Sequence, residues 1–287
     1  MTAPLTAADK AAVLAEALPY IRRFWGQVVV VKYGGNAIGD HESLALFAQD
    51  VVLMRSVGMR PVVVHGGGPQ IGELMARLGK VPEFREGLRV TDADTLDIAR
   101  MVLVGKVNRD LVAAINVHAP LAVGLSGEDA GMITATARDP ALGFVGDVGL
   151  VDASILDRIL AQELIPVVAT IGADLEGQSY NINADTAAGA VAAAVGAEKL
   201  VYLTNVEGLL ADVDDPASLI RTTTADELDH LLEQGSVSAG MIPKLRSCVE
   251  AIRAGVGHAH ILDGRVPHAL LLEIFTREGV GTMVSPS

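Results

Sequence analysis

Two glycine-rich turns, each directly after a short β-branched run, are the segments of this sequence best suited to chemistry. The first turn carries Lys32 within Val-Lys-Tyr-Gly-Gly-Asn (31–36), and the second carries His65 within Val-His-Gly-Gly-Gly-Pro (64–69). In open α/β sheets, ligands lie beyond the carboxyl ends of the strands. Consecutive glycines let the backbone approach an anion and offer unshielded N–H donors. The pattern therefore predicts an anion site at two strand ends, to which Lys32 brings a positive charge.

Two further clusters carry polar groups suited to such a site. In Tyr-Asn-Ile-Asn-Ala-Asp (180–185), Asn181, Asn183 and Asp185 occupy alternate positions, so all three can face one side before a helix begins. In Gly-Met-Ile-Pro-Lys (240–244), Lys244 lies in the first turns of another helix. Taken singly, asparagines often cap loops and lysines are usually solvated. Each cluster therefore indicates a functional site only in combination with the glycine turns.

Two common nucleotide-binding patterns fit the sequence poorly. Gly66, Gly68 and Gly72 approach a dinucleotide fingerprint, but that fold needs an acidic residue ending the next strand about 20 residues on. The segment there, Glu-Phe-Arg-Glu-Gly-Leu-Arg (83–89), has no such strand-ending acid. No G-x-x-x-x-G-K-[ST] sequence occurs either. The sequence thus argues against a dehydrogenase and against a P-loop fold.

Composition narrows the class of protein. The 22 basic and 35 acidic residues give a formal charge of −13, and no basic run is present, which argues against a nucleic-acid partner. Cys248 is the single cysteine, so no intrachain disulfide can form, and its context favours a packing role over a reactive thiol. No leader-like segment and no apolar run of the roughly 18 residues that a membrane helix needs is found. We expect a soluble cytoplasmic protein without a membrane partner.

Short apolar runs alternate with longer Ala/Leu-rich segments, which is typical of βαβ units around a mostly parallel sheet. The strands themselves are apolar nearly throughout, which indicates that helices cover both sheet faces. The predicted fold is a three-layer α/β sandwich. Strands are predicted at 27–33, 61–65, 121–125, 165–171, 199–204 and 258–263, and more weakly at 144–150 and 281–284. Helices are predicted at 41–56, 70–78, 92–117, 152–163, 184–195, 224–234, 241–254 and 267–277.

An additional amphipathic helix is predicted at 6–24, before the first strand. Val13, Leu14, Leu18 and Ile21 recur on one face of it, and such an apolar stripe must be covered. Docking on its own domain and exchange with another subunit are both open. The expected organisation is this helix (1–25), an acceptor-binding lobe (26–190) and a nucleotide-binding lobe (191–287), with a soft boundary near 185–196.

Taken together, these segments resemble the amino-acid kinase family, and more specifically its members that act on N-acetyl-L-glutamate. The similarity runs from about Val28 to Val284. Its motifs, in order, are Val-Lys-Tyr-Gly-Gly-Asn, Val-Val-His-Gly-Gly-Gly-Pro, Gly-Leu-Arg-Val-Thr (87–91), Asn-Ile-Asn-Ala-Asp, Leu-Thr-Asn-Val-Glu-Gly (203–208) and Gly-Met-Ile-Pro-Lys. Lys-x-Gly-Gly marks the whole family, whereas His-Gly-Gly-Gly together with Gly-Leu-Arg-Val-Thr and Asn-x-Asn-Ala-Asp is much more specific.

The resemblance implies transfer of the ATP γ-phosphoryl group to the γ-carboxylate of N-acetyl-L-glutamate, a step of arginine biosynthesis. It assigns Lys32 and Lys244 as transition-state cations and Asp185 as the residue that orients both. The acceptor would be held by Gly67, Gly68, Arg89, Asn181 and Asn183. ATP would contact Gly34, Gly35, Thr204, Asn205, Gly208, Leu210, Gly240 and Met241, and would carry Mg²⁺ with no protein ligand assigned to the metal.

Two positions depart from the family pattern. Many relatives carry Asp where this chain has Asn205, and a glycine often stands where this chain has Ala239. A related carboxylate kinase of aminoadipate type and a non-catalytic arginine sensor on the same fold are the alternative functions. Intact Lys32, Asp185 and Lys244 speak against the sensor.

The two ends of the chain resemble those of arginine-inhibited family members. In such relatives, N-terminal helices link dimers into a hexamer, and arginine binds between that helix and the carboxyl-terminal domain. The resemblance implies a homo-oligomer and an inhibitory L-arginine site. Its candidate residues here are Tyr20, Lys199, His260, Glu273 and Gly279.

Overall fold

The computed structural model describes residues 6–34, 41–85, 87–212, 215–235, 237, 241–276 and 279–287. Within these residues the chain forms sixteen strands. Gly35, Ala239 and Gly240 lie outside these residues. The strands are β1 (Val28–Tyr33), β2 (Arg60–His65), β3 (Phe84–Arg85), β4 (Leu88–Arg89), β5 (Ala122–Ser126), β6 (Ile133–Ala137), β7 (Val145–Val151), β8 (Ile165–Ala169), β9 (Ile171–Ala173), β10 (Ser179–Ile182), β11 (Lys199–Thr204), β12 (Leu209–Leu210), β13 (Leu219–Ile220), β14 (Thr222–Thr224), β15 (His258–Asp263) and β16 (Thr282–Ser285).

The helices agree with the predicted ones to within a few residues, apart from the segment 92–117 discussed below. They are α1 (Ala7–Phe24), α2 (His41–Ser56), α3 (Gly68–Arg77), α4 (Ala93–Arg100), α5 (Asn108–Asn116), α6 (Ser154–Ala161), α7 (Ala184–Ala194), α8 (Ala225–Glu233), α9 (Ile242–Arg253) and α10 (Ala269–Phe275). The predicted capping box at the start of α8 is present, with Thr224 and Glu227 satisfying each other's backbone N–H groups.

An eight-stranded sheet forms the centre of the fold, in the order β14-β16-β15-β11-β1-β2-β8-β5. All neighbouring pairs are parallel except β15 with β16. Alternate residues of β1 enter two separate cores: Val29 and Val31 join side chains of α2, α5 and α10, whereas Val28 and Val30 join those of α6, α7 and α9. Cys248 is buried in the second core. The predicted three-layer α/β sandwich is confirmed.

A small closed barrel, in the order β10-β7-β6-β9, is the main feature that the sequence pattern did not predict. The predicted strand 165–171 ends at Ala169, and Ile171 begins β9 of this barrel instead. The barrel strands are short, two of them (β7 and β9) contain glycine, and a Cβ on Gly172 would lie 2.9 Å from the carbonyl oxygen of Ile133. Strands of this kind are stabilised by close pairing with distant segments, which a local pattern does not reveal.

The predicted helix 92–117 is a continuous helical run with an altered middle. Its residues Met101–Val107 adopt π geometry between α4 and α5. Single π turns inside α-helices are rare and are frequent at functional sites. This one places Leu103 and Val107 against the second glycine turn, where a Cβ on Gly67 would lie 2.7 Å from Leu103 Cδ2 and 3.2 Å from Val107 Cγ2.

Helix α1 begins with a capping box between Thr6 and Asp9 and projects from the sheet. Of its side chains that the structure describes, Phe24 at its end is buried, whereas Val13, Leu14 and Leu18 are exposed. The predicted apolar stripe is therefore uncovered within the described part of this single chain. None of the described helices is both long enough and apolar enough to cross a bilayer.

Candidate active site

Asp185 lies between the two lysines singled out by the sequence. One carboxylate oxygen, Oδ1, is 2.9 Å from Lys32 Nζ, and the other, Oδ2, accepts a hydrogen bond of 2.9 Å from Lys244 Nζ. Lys32 is near the end of β1, Asp185 is in the first turn of α7, and Lys244 is in the first turn of α9. All three side chains are at least 86 % buried, since their exposed fractions are 10 %, 14 % and 7 %. Three distant segments thus form one charged cluster.

The electrostatics of this cluster keep its carboxylate ionised. Burial tends to raise the pKa of Asp185, but the two adjacent ammonium groups outweigh burial and hold that pKa well below its usual range. Burial lowers the pKa of Lys32, an effect that Lys244 reinforces and Asp185 opposes. Two positive charges facing one negative charge leave a net positive site. Such a site suits an anion that spans both ammonium groups.

Two buried hydroxyl groups support Asp185 from behind. Ser247 Oγ donates a hydrogen bond of 2.7 Å to the main-chain carbonyl of Asp185 and lies 2.6 Å from Tyr202 Oη. Lys244 Nζ lies 5.1 Å from the centre of the Tyr202 ring, within the range of a cation–π contact. Neither residue was predicted from the sequence. Ser247 carries one usable signal, because it follows Lys244 by one helical turn, whereas Tyr202 alternates within an apolar strand.

The two glycine turns meet at adjacent strand ends, because β1 and β2 are paired in register. The backbone N–H of Gly66 donates to the carbonyl of Tyr33 over 3.2 Å. Lys32 folds back over Gly34, where a Cβ would lie 2.9 Å from Lys32 Nζ. A side chain at position 34 would therefore displace the ammonium group. The two strand ends at which the sequence predicts an anion site are therefore adjacent.

The second glycine turn has its carbonyl groups occupied and two N–H groups available. The carbonyl of Gly67 accepts from Ile71 N–H over 2.9 Å, and that of Gly68 accepts from Arg89 Nη2 over 2.8 Å. The carbonyl of Gly66 lies 3.0 Å from His65 Nδ1. Within the described part of the chain, the N–H groups of Gly67 and Gly68 have no acceptor. They are free to donate to an anion at the start of α3.

A cavity of about 160 Å³ opens beside this turn, and it contains the predicted acceptor residues. Arg89 is 9 % exposed and lies 4.7 Å from the centre of the Phe84 ring, and burial lowers the pKa of its guanidinium. Asn181 Nδ2 donates to Thr91 Oγ1 over 3.3 Å. The lining residues are Gly66, Gly67, Gly68, Ile71, Phe84, Gly87, Leu88, Arg89, Leu103, Val145, Thr170, Asn181, Ile182, Asn183 and Ala184.

Asn183 lines the cavity and also caps helix α7. Its Oδ1 accepts from the backbone N–H groups of Asp185 and Thr186, at 2.9 Å and 3.1 Å, and so caps α7. The cap residue of α7 is Asn183, Ala184 is its first helical residue, and Asp185 lies in its first turn. A direct contact of Asn183 with the acceptor remains a prediction.

Several of the predicted nucleotide-binding residues lie at or directly after the ends of β11 and β12. Thr204 ends β11 and is buried, Asn205 follows it, and Leu210 ends β12. Gly208 has a φ of 153°, and a Cβ there would lie 2.6 Å from Thr282 Oγ1. Met241 is the residue immediately before α9. Gly35 and Gly240 lie outside the described residues, so their predicted contacts remain untested.

A second cavity, of about 470 Å³, lies between the end of α1 and the carboxyl-terminal half of the chain. Tyr20, Lys199, Glu273 and Gly279 line it. His260 is buried behind them, with Nε2 accepting from Lys199 Nζ over 3.0 Å and Nδ1 lying 2.8 Å from Glu273 Oε1. The five residues singled out as an arginine site are therefore close together.

Comparison with known proteins agrees with this geometry. The sequence profile of the amino acid kinase family matches residues 27–263. An acetylglutamate kinase of Symbiobacterium thermophilum is 56 % identical over 97 % of this chain and 98 % of its own length. An acetylglutamate kinase of Saccharopolyspora erythraea is 55 % identical over 98 % of this chain and 95 % of its own length. The chain belongs to the amino acid kinase family, and its full-length relatives place it among the acetylglutamate kinases of that family.

A solved structure extends the comparison to bound ligands. The N-acetylglutamate synthase of Neisseria gonorrhoeae, complexed with coenzyme A and N-acetyl-glutamate, has a TM-score of 0.85 and 30 % sequence identity. The match covers 96 % of this chain but only 63 % of the synthase chain. The same synthase complexed with coenzyme A and L-arginine has a TM-score of 0.83.

Proposed function

We propose that this chain transfers the γ-phosphoryl group of ATP to the γ-carboxylate of N-acetyl-L-glutamate, giving the acyl phosphate and ADP in arginine biosynthesis. The observation that carries the proposal is the cluster of Lys32, Asp185 and Lys244 at the ends of paired strands. It lies next to a cavity with an arginine and two available backbone N–H groups. Nearly full-length similarity to acetylglutamate kinases supports the choice of acceptor.

The reaction needs cations more than it needs a base. A carboxylate acceptor has an ordinary pKa of about 4.3, so it is already deprotonated at neutral pH. The difficulty is to bring two anions together and to stabilise the charge on the equatorial oxygens of the transferring group. Lys32 and Lys244 supply two ammonium groups to that region, and Asp185 holds them in place. Burial of the cluster strengthens each of these interactions, because the local dielectric is low.

The acceptor is held by groups that match its two ends. The planar fork of Arg89 can pair the α-carboxylate bidentately, and the amide of Asn181 can bond the acetylamino group. The N–H groups of Gly67 and Gly68 then donate to the γ-carboxylate or to the phosphoryl group as it crosses. Asn183 contributes from the same wall, since it lines the same cavity.

The nucleotide enters as its magnesium complex and occupies the carboxyl-terminal half. Residues 26–190 form the acceptor lobe and residues 191–287 the nucleotide lobe, with 1–25 as a separate helical arm. In support, the central sheet takes β1, β2, β5 and β8 from the first lobe and β11, β14, β15 and β16 from the second. Strands β1 and β11 pair in parallel and join the two lobes, and Lys32 of the charged cluster lies near the end of β1.

Trapping of the product as a hydroxamate tests the acceptor. With MgATP, N-acetyl-L-glutamate should give an acyl phosphate, whereas glutamate, aspartate and N-acetylaspartate should give far less. A clear preference for an aminoadipate-type acceptor would replace the assignment by the related carboxylate kinase. Absence of product with every acceptor would favour the non-catalytic arginine sensor.

Inhibition by L-arginine and a hexamer of three dimers are part of the same proposal. A ligand with one carboxylate and one guanidinium group suits a cavity that presents Lys199 beside Glu273. The exposed apolar stripe of α1 suits exchange with the same helix of another subunit, since such a stripe is stabilised by burial. The arginine complex of the related synthase adds support.

A further inference from the structure

Asn108 is a fully buried amide with no role in the proposed chemistry. It begins α5, directly after the π segment. Its Nδ2 lies 3.1 Å from His65 Nε2, 2.8 Å from the carbonyl of Val167 and 3.3 Å from that of Leu125. Its Oδ1 accepts from Arg109 Nη2. Two carbonyl acceptors face the nitrogen and a guanidinium donor faces the oxygen, which assigns the orientation of the amide.

This orientation also determines the tautomer of His65. Because Asn108 Nδ2 can only donate, a hydrogen on His65 Nε2 would place two donors face to face over 3.1 Å, so we assign the ring hydrogen to Nδ1. His65 Nδ1 is then the donor in the 3.0 Å contact with the carbonyl of Gly66. Burial lowers the pKa of His65 to about 4, so the ring is neutral and makes one donor bond and one acceptor bond near neutral pH.

The bond to Gly66 completes the support of the second glycine turn. The carbonyl groups of Gly67 and Gly68 are held by α3 and by Arg89, and Leu103 and Val107 of the π segment press against Gly67 from the other side. Rotation of the Gly66 carbonyl would turn the peptide plane that carries the N–H of Gly67. The orientation of that donor therefore depends on His65.

We propose that Asn108 is a positioning residue for phosphoryl transfer, acting through His65 on the Gly66–Gly67 peptide. This inference rests on the proposed function, because the donor it positions is the one assigned to the γ-carboxylate or the transferring group. Displacement of a reacting group by about 1 Å can cost about 10²-fold in rate. The relay, defined as Asn108, His65 and Gly66, should thus affect turnover more than nucleotide affinity.

Two substitutions of His65 distinguish its hydrogen bond to Gly66 from its hydrogen bond to Asn108. In His65→Asn, the side-chain amide can replace the Nδ1–H donor to Gly66, whereas in His65→Gln it can replace only the Nε2 acceptor for Asn108. We expect kcat of His65→Asn to exceed that of His65→Gln by about 10-fold or more, with similar KM values for MgATP. Asn108→Ala should also lower kcat, and melting temperatures show how much of each effect is loss of folding.

The tautomer is measured without any substrate. Long-range ¹⁵N NMR of the wild-type chain should show His65 protonated on Nδ1 between about pH 6 and 8, with the resonance assigned by its loss in His65→Asn. Protonation on Nε2, or equal kcat in the Asn and Gln variants of an active enzyme, would overturn the relay. Failure of the proposed function is distinct, because it would appear as a wild-type chain that makes no acyl phosphate.

Discussion

At the scale of single residues, the charged cluster shows how one carboxylate organises two cations. Asp185 does not lose its charge on burial, because each of its oxygens faces an ammonium group at 2.9 Å. Leaving such a buried group without a partner is costly, typically about 3–5 kcal/mol. The cluster is therefore preorganised in the free protein, and little reorganisation is needed when the phosphates arrive.

Lys244→Ala tests the catalytic role of this cluster. Removal of one transition-state cation should lower kcat about 10²-fold or more, while KM for the acceptor changes little, because Arg89 and Asn181 remain. Steady-state kinetics with N-acetyl-L-glutamate would measure both constants. Lys106→Ala, at an exposed lysine paired with Asp110, is the matched control. Near-normal turnover of the Lys244 variant would contradict the assigned role.

At the scale of secondary-structure elements, the distance between α7 and α9 sets the geometry of the site. The two helices pack closely because position 189 has no side chain: a Cβ there would lie 2.5 Å from Ser247 Oγ and 3.3 Å from the Ser247 carbonyl oxygen. Helix α7 carries Asp185 and α9 carries Lys244. The small residue on one helix therefore controls an ion pair between both.

Gly189→Ala should separate these helices. Alanine favours an isolated helix by about 1 kcal/mol over glycine, but here the added methyl group would lie 2.5 Å from the buried Ser247 hydroxyl and 3.3 Å from a backbone oxygen. We expect kcat to fall about 10-fold or more. Gly105→Ala is the control, because a Cβ there meets nothing within 4 Å. If Gly189→Ala turned over like the wild type, the helix spacing would not set the ion pair.

At the scale of the whole molecule, α1 is joined to the rest mainly by its last turn. Phe24 is buried, with its ring 5.2 Å from Lys199 Nζ, whereas Leu14 and Leu18 are exposed by 71 % and 52 %. In the proposed hexamer, this helix would connect the cavity beside Lys199 with another subunit. Oligomeric state and arginine response are expected to change together.

Deletion of residues 1–25 should abolish both the hexamer and arginine inhibition while kinase activity persists. Analytical ultracentrifugation and inhibition assays measure the two effects. Because deletion also removes Phe24, Leu14→Glu is the milder variant, and Ala12→Glu on the opposite helix face is its control. A hexamer that survives both the deletion and Leu14→Glu would contradict exchange through α1.

The amino-acid sequence by itself determined most strands of the main sheet, most of the helices and the residues of the charged cluster. Apolar runs such as β11 and β15 begin and end where they were predicted, because local patterning sets them. Lys32, Asp185 and Lys244 were singled out by their places in short motifs, and the resemblance to the amino-acid kinase family gave them their predicted roles.

Only the tertiary structure decided what these residues contact. The barrel of β6, β7, β9 and β10, the π turn before Asn108 and the support of Asp185 by Tyr202 and Ser247 all depend on contacts between segments far apart in sequence. Asn108 and His65 are 43 residues apart, and neither shows its partner in its local pattern. Local propensity is a short-range property, whereas the positioning of these groups results from packing in three dimensions.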